Sequence, residues 1–339
     1  MISNNKSVDI NFNSFELTPY QHPFYLSWQF APLSSADNQS LVFKLSARPE
    51  IKKLQYSIRA FINKHPLTQM LYDPISHQFI PGNFKIDEYL IINQQSTLSI
   101  NDVINFPFDL HKAPLVKFYL LESSSEWYFI ICSHHIICDG ISARTMITDL
   151  AHLYVEAESQ ASKSSQTIDY QAAVVACHKK SLAQAKQSQK YWRQFLSNHN
   201  LVTSFDKIYI KDQIESNAYV DFQLSQSELQ KLGRQYQTTV FLLLAASYGY
   251  ILARHTQSQT LLMSYPYNTR TPSHAKVIGC FVNTLPLKID LNQINTFMQL
   301  INQLNKDRKN SKLYRHHPIK SSTVINVGIS QTNLNTTPF

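Results

Sequence analysis

Short runs of β-branched and aromatic residues alternate with amphipathic stretches along this 339-residue chain, and that alternation constrains the fold more than any other feature. Each stretch has an apolar face that must be buried against its neighbours, which places the chain in the α/β (α+β) class of sheets covered by helices. In the first half, Leu41–Leu45 predicts a strand. Pro49 suits the first turn of a helix with Ile51, Leu54, Ile58, Phe61 and Ile62 on one face. Leu115–Leu121 and Trp127–Cys132 read as neighbouring strands parted by the turn-like Glu122-Ser-Ser-Ser-Glu126. A helix from about Ile141 to Glu158 follows, turning Met146, Leu150, Leu153 and Tyr154 inward. In the second half the spacing predicts a glutamine-rich helix over Gln171–Leu196 and a strand at Tyr219–Leu224. Ser225 and Glu228 form a capping box for a short helix, and Thr239–Arg254 is apolar enough for a core helix. Leu261–Tyr265, Phe281–Leu291 and Val324–Ser330 are expected strands, with a helix over Thr296–Lys309.

At roughly 150 residues per domain the length implies two domains or one two-lobed unit. Ala161–Thr167, small and polar throughout, is the best linker, which sets lobes of 1–165 and 166–339. Hydrophobic residues make up 43% and aromatics 12%, so the chain can pack a core although only 16% is charged. Glycine is scarce, with six residues, and neither GxGxxG nor GxxxxGK[ST] occurs, which excludes glycine-rich phosphate loops and collagen-like or linker structure. The start, MISNNKSVDI, is polar and lacks a signal-peptide core. Phe241–Ala253, the longest apolar run, is too short and too interrupted by Ser247, Tyr248 and Tyr250 to span a bilayer. A soluble cytoplasmic protein without a membrane partner is therefore expected. Cys132, Cys138, Cys177 and Cys280 show neither disulfide nor zinc spacing and read as buried thiols. The net charge of +8 comes without a basic run of five, so nucleic acid is not the expected partner. It fits either an acidic protein partner or an ordinary basic surface.

Residues 133–142 read Ser-His-His-Ile-Ile-Cys-Asp-Gly-Ile-Ser, an HHxxxDG pattern that leaves an apolar strand and enters an amphipathic helix. A buried strand end fixes a histidine backbone, and Gly140 allows a tight turn with positive φ after it. Asp139 stands close enough to help hold that turn. A neutral imidazole with a pKa near 6.5 can take a proton from an incoming nucleophile at cellular pH.

HHxxxDG resembles the signature of the chloramphenicol-acetyltransferase-like acyltransferases, and within them the condensation domains of nonribosomal peptide synthetases. Other segments are similar in order: Leu17-Thr-Pro-Tyr-Gln-His22, Lys64-His65 in the place of the RHExLR segment, Phe106-Pro-Phe-Asp-Leu110 with Ala113-Pro-Leu115, and Tyr191-Trp192. Ile278-Gly-Cys-Phe-Val-Asn-Thr-Leu-Pro-Leu-Lys288 closely matches the (I/V)GxFVNT motif. The DFGWG and EGHGR segments of other branches are absent, and the histidines are not replaced by aspartate as in cyclising domains.

The resemblance implies two chloramphenicol-acetyltransferase-like lobes with a central active-site tunnel, the second lobe shortened at its C-terminus. It implies an acyltransferase of secondary-metabolite synthesis that forms an amide by passing a carrier-bound acyl or peptidyl thioester to an amine. His135 is then the catalytic residue and the Gly140 amide the oxyanion donor, with His134, Asp139 and Asn283 structural. No bound cofactor or metal is implied. Substrates arrive on the phosphopantetheine arms of donor and acceptor peptidyl or aryl carrier proteins, beside an adenylation domain. Three departures are visible. Gln69 aligns with the arginine expected to pair with Asp139, leaving Arg270 as either a substitute partner or an exposed loop residue. Ile141 replaces an aromatic, and Arg315-His-His-Pro-Ile319 only faintly echoes HQDxPFE, with His316 and His317 expected in a solvated loop. A decayed carrier-binding domain and an acyl-CoA-dependent N- or O-acyltransferase of the same fold are the alternatives.

Overall fold

The central strand of the first sheet is built from residues apolar on both sides. β7 (Glu126–His134) pairs antiparallel with β2 (Asn38–Leu45) on one side and with β6 (Val116–Ser123) on the other. β5 (Leu90–Asn93) then adds parallel to β6, giving the order β2-β7-β6-β5. Along β6 and β7 the side chains alternate. Phe118, Leu120, Phe129 and Ile131 enter the main core, whereas Tyr119, Leu121, Ile130 and Cys132 enter a smaller one with Val103 and Phe108. Helices cover the main-core face: α2 (Ile51–Lys64) contributes Leu54, Ile58, Phe61 and Ile62, and α5 (Gly140–Glu156) contributes Met146, Leu150 and Leu153. β2, β6, β7, α2 and α5 are elements that the periodicity predicts, with α2 beginning two residues after Pro49, whereas β5 has no counterpart in it.

The computed structural model describes residues 14–83, 85–93, 98–112, 114–123, 125–157, 168–197, 224–318 and 325–326. The expected linker Ala161–Thr167, the boundary at 165, most of the strand at Tyr219–Leu224 and most of Val324–Ser330 lie outside them. Contacts group the chain into two compact units. The first holds the described residues up to Lys180 together with Arg270–Val282, and the second holds Ser181–Thr269 and those from Asn283 on.

Several elements of the first unit have no counterpart in the sequence reading. A small sheet joins β1 (Phe15–Glu16), β4 (Gln78–Pro81) and β3 (Met70–Asp73), and α1 (His22–Phe30) follows β1. Two short helices, α3 (Ile86–Tyr89) and α4 (Ile100–Ile104), flank β5. α6 (Tyr170–Leu196) carries the boundary between the two units near Lys180.

In the second unit α7 (Gln226–Gln235) is capped by the Ser225 hydroxyl, which accepts from the Glu228 amide. α8 (Val240–His255), the apolar stretch, buries Leu242, Leu243, Ala245, Ala246 and Leu252. They meet Leu261 and Met263 of β8 (Thr260–Asn268) and Leu285, Leu287 and Ile289 of β9 (Val282–Asp290). α9 (Phe297–Leu313) closes this core with Leu300, Ile301 and Leu304. β10 (Ile325–Asn326) pairs parallel with β8. Tyr191-Trp192 is structural: Tyr191 stacks on Tyr314, and the Trp192 ring N–H donates to the Tyr314 carbonyl. Among the described residues no single helix is long and apolar enough to cross a membrane.

Gly249 lets α8 lie this close to the sheet, because a Cβ there would stand 2.5 Å from Ile289 Cγ1 and 3.1 Å from Met263 Cε. Gly249→Ala is expected to lower unfolding free energy by about 1–3 kcal/mol through overpacking. Urea titration checks this, and an unchanged midpoint would show that α8 has room to move.

Candidate active site

β7 ends at His134, and the chain passes through a tight turn into α5. His134 N–H donates to the Leu115 carbonyl (3.0 Å) and His135 N–H to the Asp37 carbonyl (2.7 Å), which fixes both backbones. The two rings then meet different surroundings. His134 is buried against the edge of Phe108, and its Nδ1 accepts from the Ile136 amide at 3.1 Å. Burial, with the neighbouring His135, holds its pKa down to about 3, so it is a neutral scaffold group.

The His135 ring stacks on Phe24 of α1, with centroids 4.2 Å apart and planes at 13°. Cys280 Sγ lies 3.8 Å from its Nδ1. Burial lowers the His135 pKa, while its own backbone carbonyl, Asp139 and Asp37 oppose that by favouring the charged ring. Among the described residues Nε2 has no hydrogen-bond partner.

Asp139 caps α5, its Oδ1 accepting from the Ser142 amide at 2.9 Å. Its carboxylate is also gripped by Arg270, Nη1 to Oδ2 at 2.6 Å and Nη2 to Oδ1 at 3.0 Å, with both side chains almost fully buried. The guanidinium further donates to Ser142 Oγ (2.8 Å) and to the carbonyls of Gly279 (2.7 Å) and Val277 (3.0 Å). Phe281 N–H completes the carboxylate shell at 3.0 Å, and the Phe281 ring lies under the guanidinium. Ser142 Oγ bonds both backbone groups of Gly279. Glycine is required at 279 because a Cβ would stand 2.6 Å from the Phe281 ring and 2.9 Å from that of Tyr170. Arg270 is thus the partner of Asp139 and not an exposed loop residue. Gln69 instead donates to the Ile62 carbonyl.

Two further expectations are corrected. Gly140 has no positive φ, because it is the first residue of α5 and follows an extended Asp139. Apart from its chain neighbours and its own helix backbone, no atom comes within 4 Å of where its Cβ would stand. His316 is buried and so does not sit in a solvated loop. Asn283 lies in the second unit, where its amide donates to the carbonyls of Arg315 (2.7 Å) and His317 (2.8 Å).

Sequence reasoning left out a buried polar strut. Gln21 Nε2 donates to the Ile136 carbonyl at 2.6 Å, while its Oε1 accepts from the Thr18 amide and the Tyr170 hydroxyl. The Thr18 hydroxyl donates to the Cys280 carbonyl. Leu17-Thr-Pro-Tyr-Gln-His22 thereby braces the turn carrying the histidines. The signal was present, since an uncharged amide inside an apolar N-terminal run must find buried partners.

The condensation-domain family model matches residues 12–321, which takes in the turn, the strut and the Ile278–Lys288 segment. The chain belongs to that family. Among curated relatives, gramicidin S synthase 2 of Aneurinibacillus migulanus is 24% identical over 301 residues, covering 85% of this chain and 7% of that protein. Surfactin synthase subunit 1 of Bacillus subtilis (strain 168) is 24% identical over 317 residues, covering 90% of this chain and 9% of that one. This condensation domain thus spans less than a tenth of the length of either synthase. Among solved structures, the first condensation domain of the calcium-dependent antibiotic synthetase superposes with a TM-score of 0.73 at 14% identity, covering 93% and 80% of the two chains. The starter condensation domain of rhizomide synthetase does so at 0.74 and 16%, covering 92% and 76%. The chain therefore has the condensation-domain fold.

Two outcomes check the geometry. Arg270→Met leaves a buried carboxylate without its charge partner and is expected to lose about 3–5 kcal/mol, with Arg270→Lys recovering part of it. A loss under about 1 kcal/mol in urea titration would contradict the pairing. The folded-state pKa of His134 lies below its ordinary 6.5, so the unfolded chain binds that proton first and stability falls as pH drops from about 6.5 toward 3. His134→Asn keeps an acceptor for the Ile136 amide and is expected to flatten that slope by up to about 1.4 kcal/mol per pH unit. An unaltered slope would show that His134 is not held neutral.

Proposed function

We propose that this domain forms an amide bond by transferring an acyl or peptidyl group from a thioester to an amine. The observation that carries the reading is His135, with its Nδ1 side occupied and Nε2 left available beside the first turn of α5. The amine nitrogen attacks the thioester carbonyl and forms the C–N bond. His135 Nε2 takes the proton that the attacking nitrogen sheds. The C–S bond then breaks, and the proton passes to the departing thiolate, so the sulfur leaves as a thiol. The Gly140 amide donates to the oxyanion of the tetrahedral intermediate, at a helix start with open space above it. His134 and Asp139 hold the turn without touching substrate, and Asn283 fixes the segment after α9.

Membership of a family found within peptide synthases supports carrier proteins as partners, with donor and acceptor groups borne on phosphopantetheine arms and activated by an adjacent adenylation domain. The excess of 31 basic over 23 acidic side chains suits acidic carriers. The cytoplasm, where such assembly lines work, is the proposed location.

The test is transfer between two loaded carriers, followed by mass spectrometry, with an acyl-CoA panel run without carrier. Carrier-dependent product is expected, falling about 10²–10⁴-fold in His135→Ala. Gly140→Ala is expected to keep stability within about 1 kcal/mol while slowing turnover, since its methyl would enter the open space. Undiminished product from His135→Ala would remove that residue from the chemistry. Product from acyl-CoA alone would replace the carrier as donor.

A further inference from the structure

We propose that Cys280 is a positioning residue for His135: its sulfur holds the Nδ1 edge of the ring so that Nε2 is presented to substrate. The inference rests on the amide-forming role given to His135 above. Cys280 Sγ lies 3.8 Å from His135 Nδ1, within reach of a long N–H···S bond. The sulfur cannot drift, because the backbone on either side is pinned. Gly279 N–H donates to Ser142 Oγ, Phe281 N–H donates to Asp139, and the Cys280 carbonyl accepts from Thr18 Oγ1. Phe24 covers one face of the imidazole, so ring rotation is resisted by the stack and by the sulfur together.

A nucleophilic role does not fit the same observations. The thiol is fully buried, and burial raises its pKa well above the ordinary value, so no thiolate is available to attack a thioester. As a neutral, polarisable acceptor it instead strengthens its contact when His135 becomes cationic. The titratable and charged groups around this ring are Asp37, Asp139 (itself paired with Arg270), His134 and Cys280. Removing the sulfur takes away one group that favours the protonated ring, and the His135 pKa is then expected to fall.

The experiment compares wild type with Cys280→Val, which fills the space without an acceptor, and Cys280→Ser, which restores one; Cys280→Ala serves if Val fails to fold. Histidine-selective nitrogen-15 spectra of the full chain read the His135 tautomer without any turnover. Wild type and Ser are expected to show a single Nδ1–H form, and Val a mixture. In the transfer assay, Val is expected to lower kcat about tenfold at unchanged KM, one decade of the roughly 10²–10⁴-fold that a positioned base supplies. The acid limb of its pH profile moves to lower pH, and Ser moves it back. A folded Val variant with unchanged spectrum, kcat and acid limb overturns the proposal, as does an acyl group found covalently on Cys280. Should wild type yield no product while the Val spectrum changes, the proposed function fails and the positioning stands.

Discussion

The buried pair of Asp139 and Arg270 is the constraint on which the rest of the site depends. Two charges taken out of water are tolerable only when every lone pair and proton finds a partner. Here the carboxylate receives two guanidinium bonds and two backbone amides, and the guanidinium reaches two carbonyls and a hydroxyl besides. Satisfying that set requires Arg270–Val282 to fold onto the start of α5, which is why this segment belongs to the first unit although β8 before it and β9 from Asn283 on belong to the second. The same requirement sets Cys280 against His135 and leaves room for nothing larger than glycine at 279.

Adjacent histidines acquire opposite characters from this frame. His134 spends Nδ1 on the Ile136 amide and is held neutral by burial. His135, one residue later, turns its Nδ1 edge to Cys280, and among the described residues its Nε2 has no hydrogen-bond partner. Identical side chains one residue apart thus differ through burial and through the partners of their Nδ1 atoms.

Much of this was legible in the chain, for a physical reason in each case. β6 and β7 and helices α2, α5, α8 and α9 declare themselves because periodicity reports burial, and HHxxxDG marks the strand-to-helix turn. β1, β3, β4 and α1 did not, because they are short and make sense only once packed. Arg270 was obscured because the partner of Asp139 lies 131 residues away, so no local pattern links them. Gly140 was read as a turn glycine, whereas its backbone is helical and the space above it is what sets it apart. His316 looked loop-like beside a second histidine, and its burial comes from tertiary packing that no local rule reports.

The most direct measurement is a crystal structure of the full chain bound to a non-hydrolysable conjugate in which a thioether replaces the thioester and the amine is covalently joined. The joined nitrogen is expected within roughly 3 Å of His135 Nε2, with the tetrahedral oxygen mimic facing the Gly140 amide. A conjugate bound with its reacting atoms away from Nε2, on an otherwise intact Asp139–Arg270 frame, would contradict it.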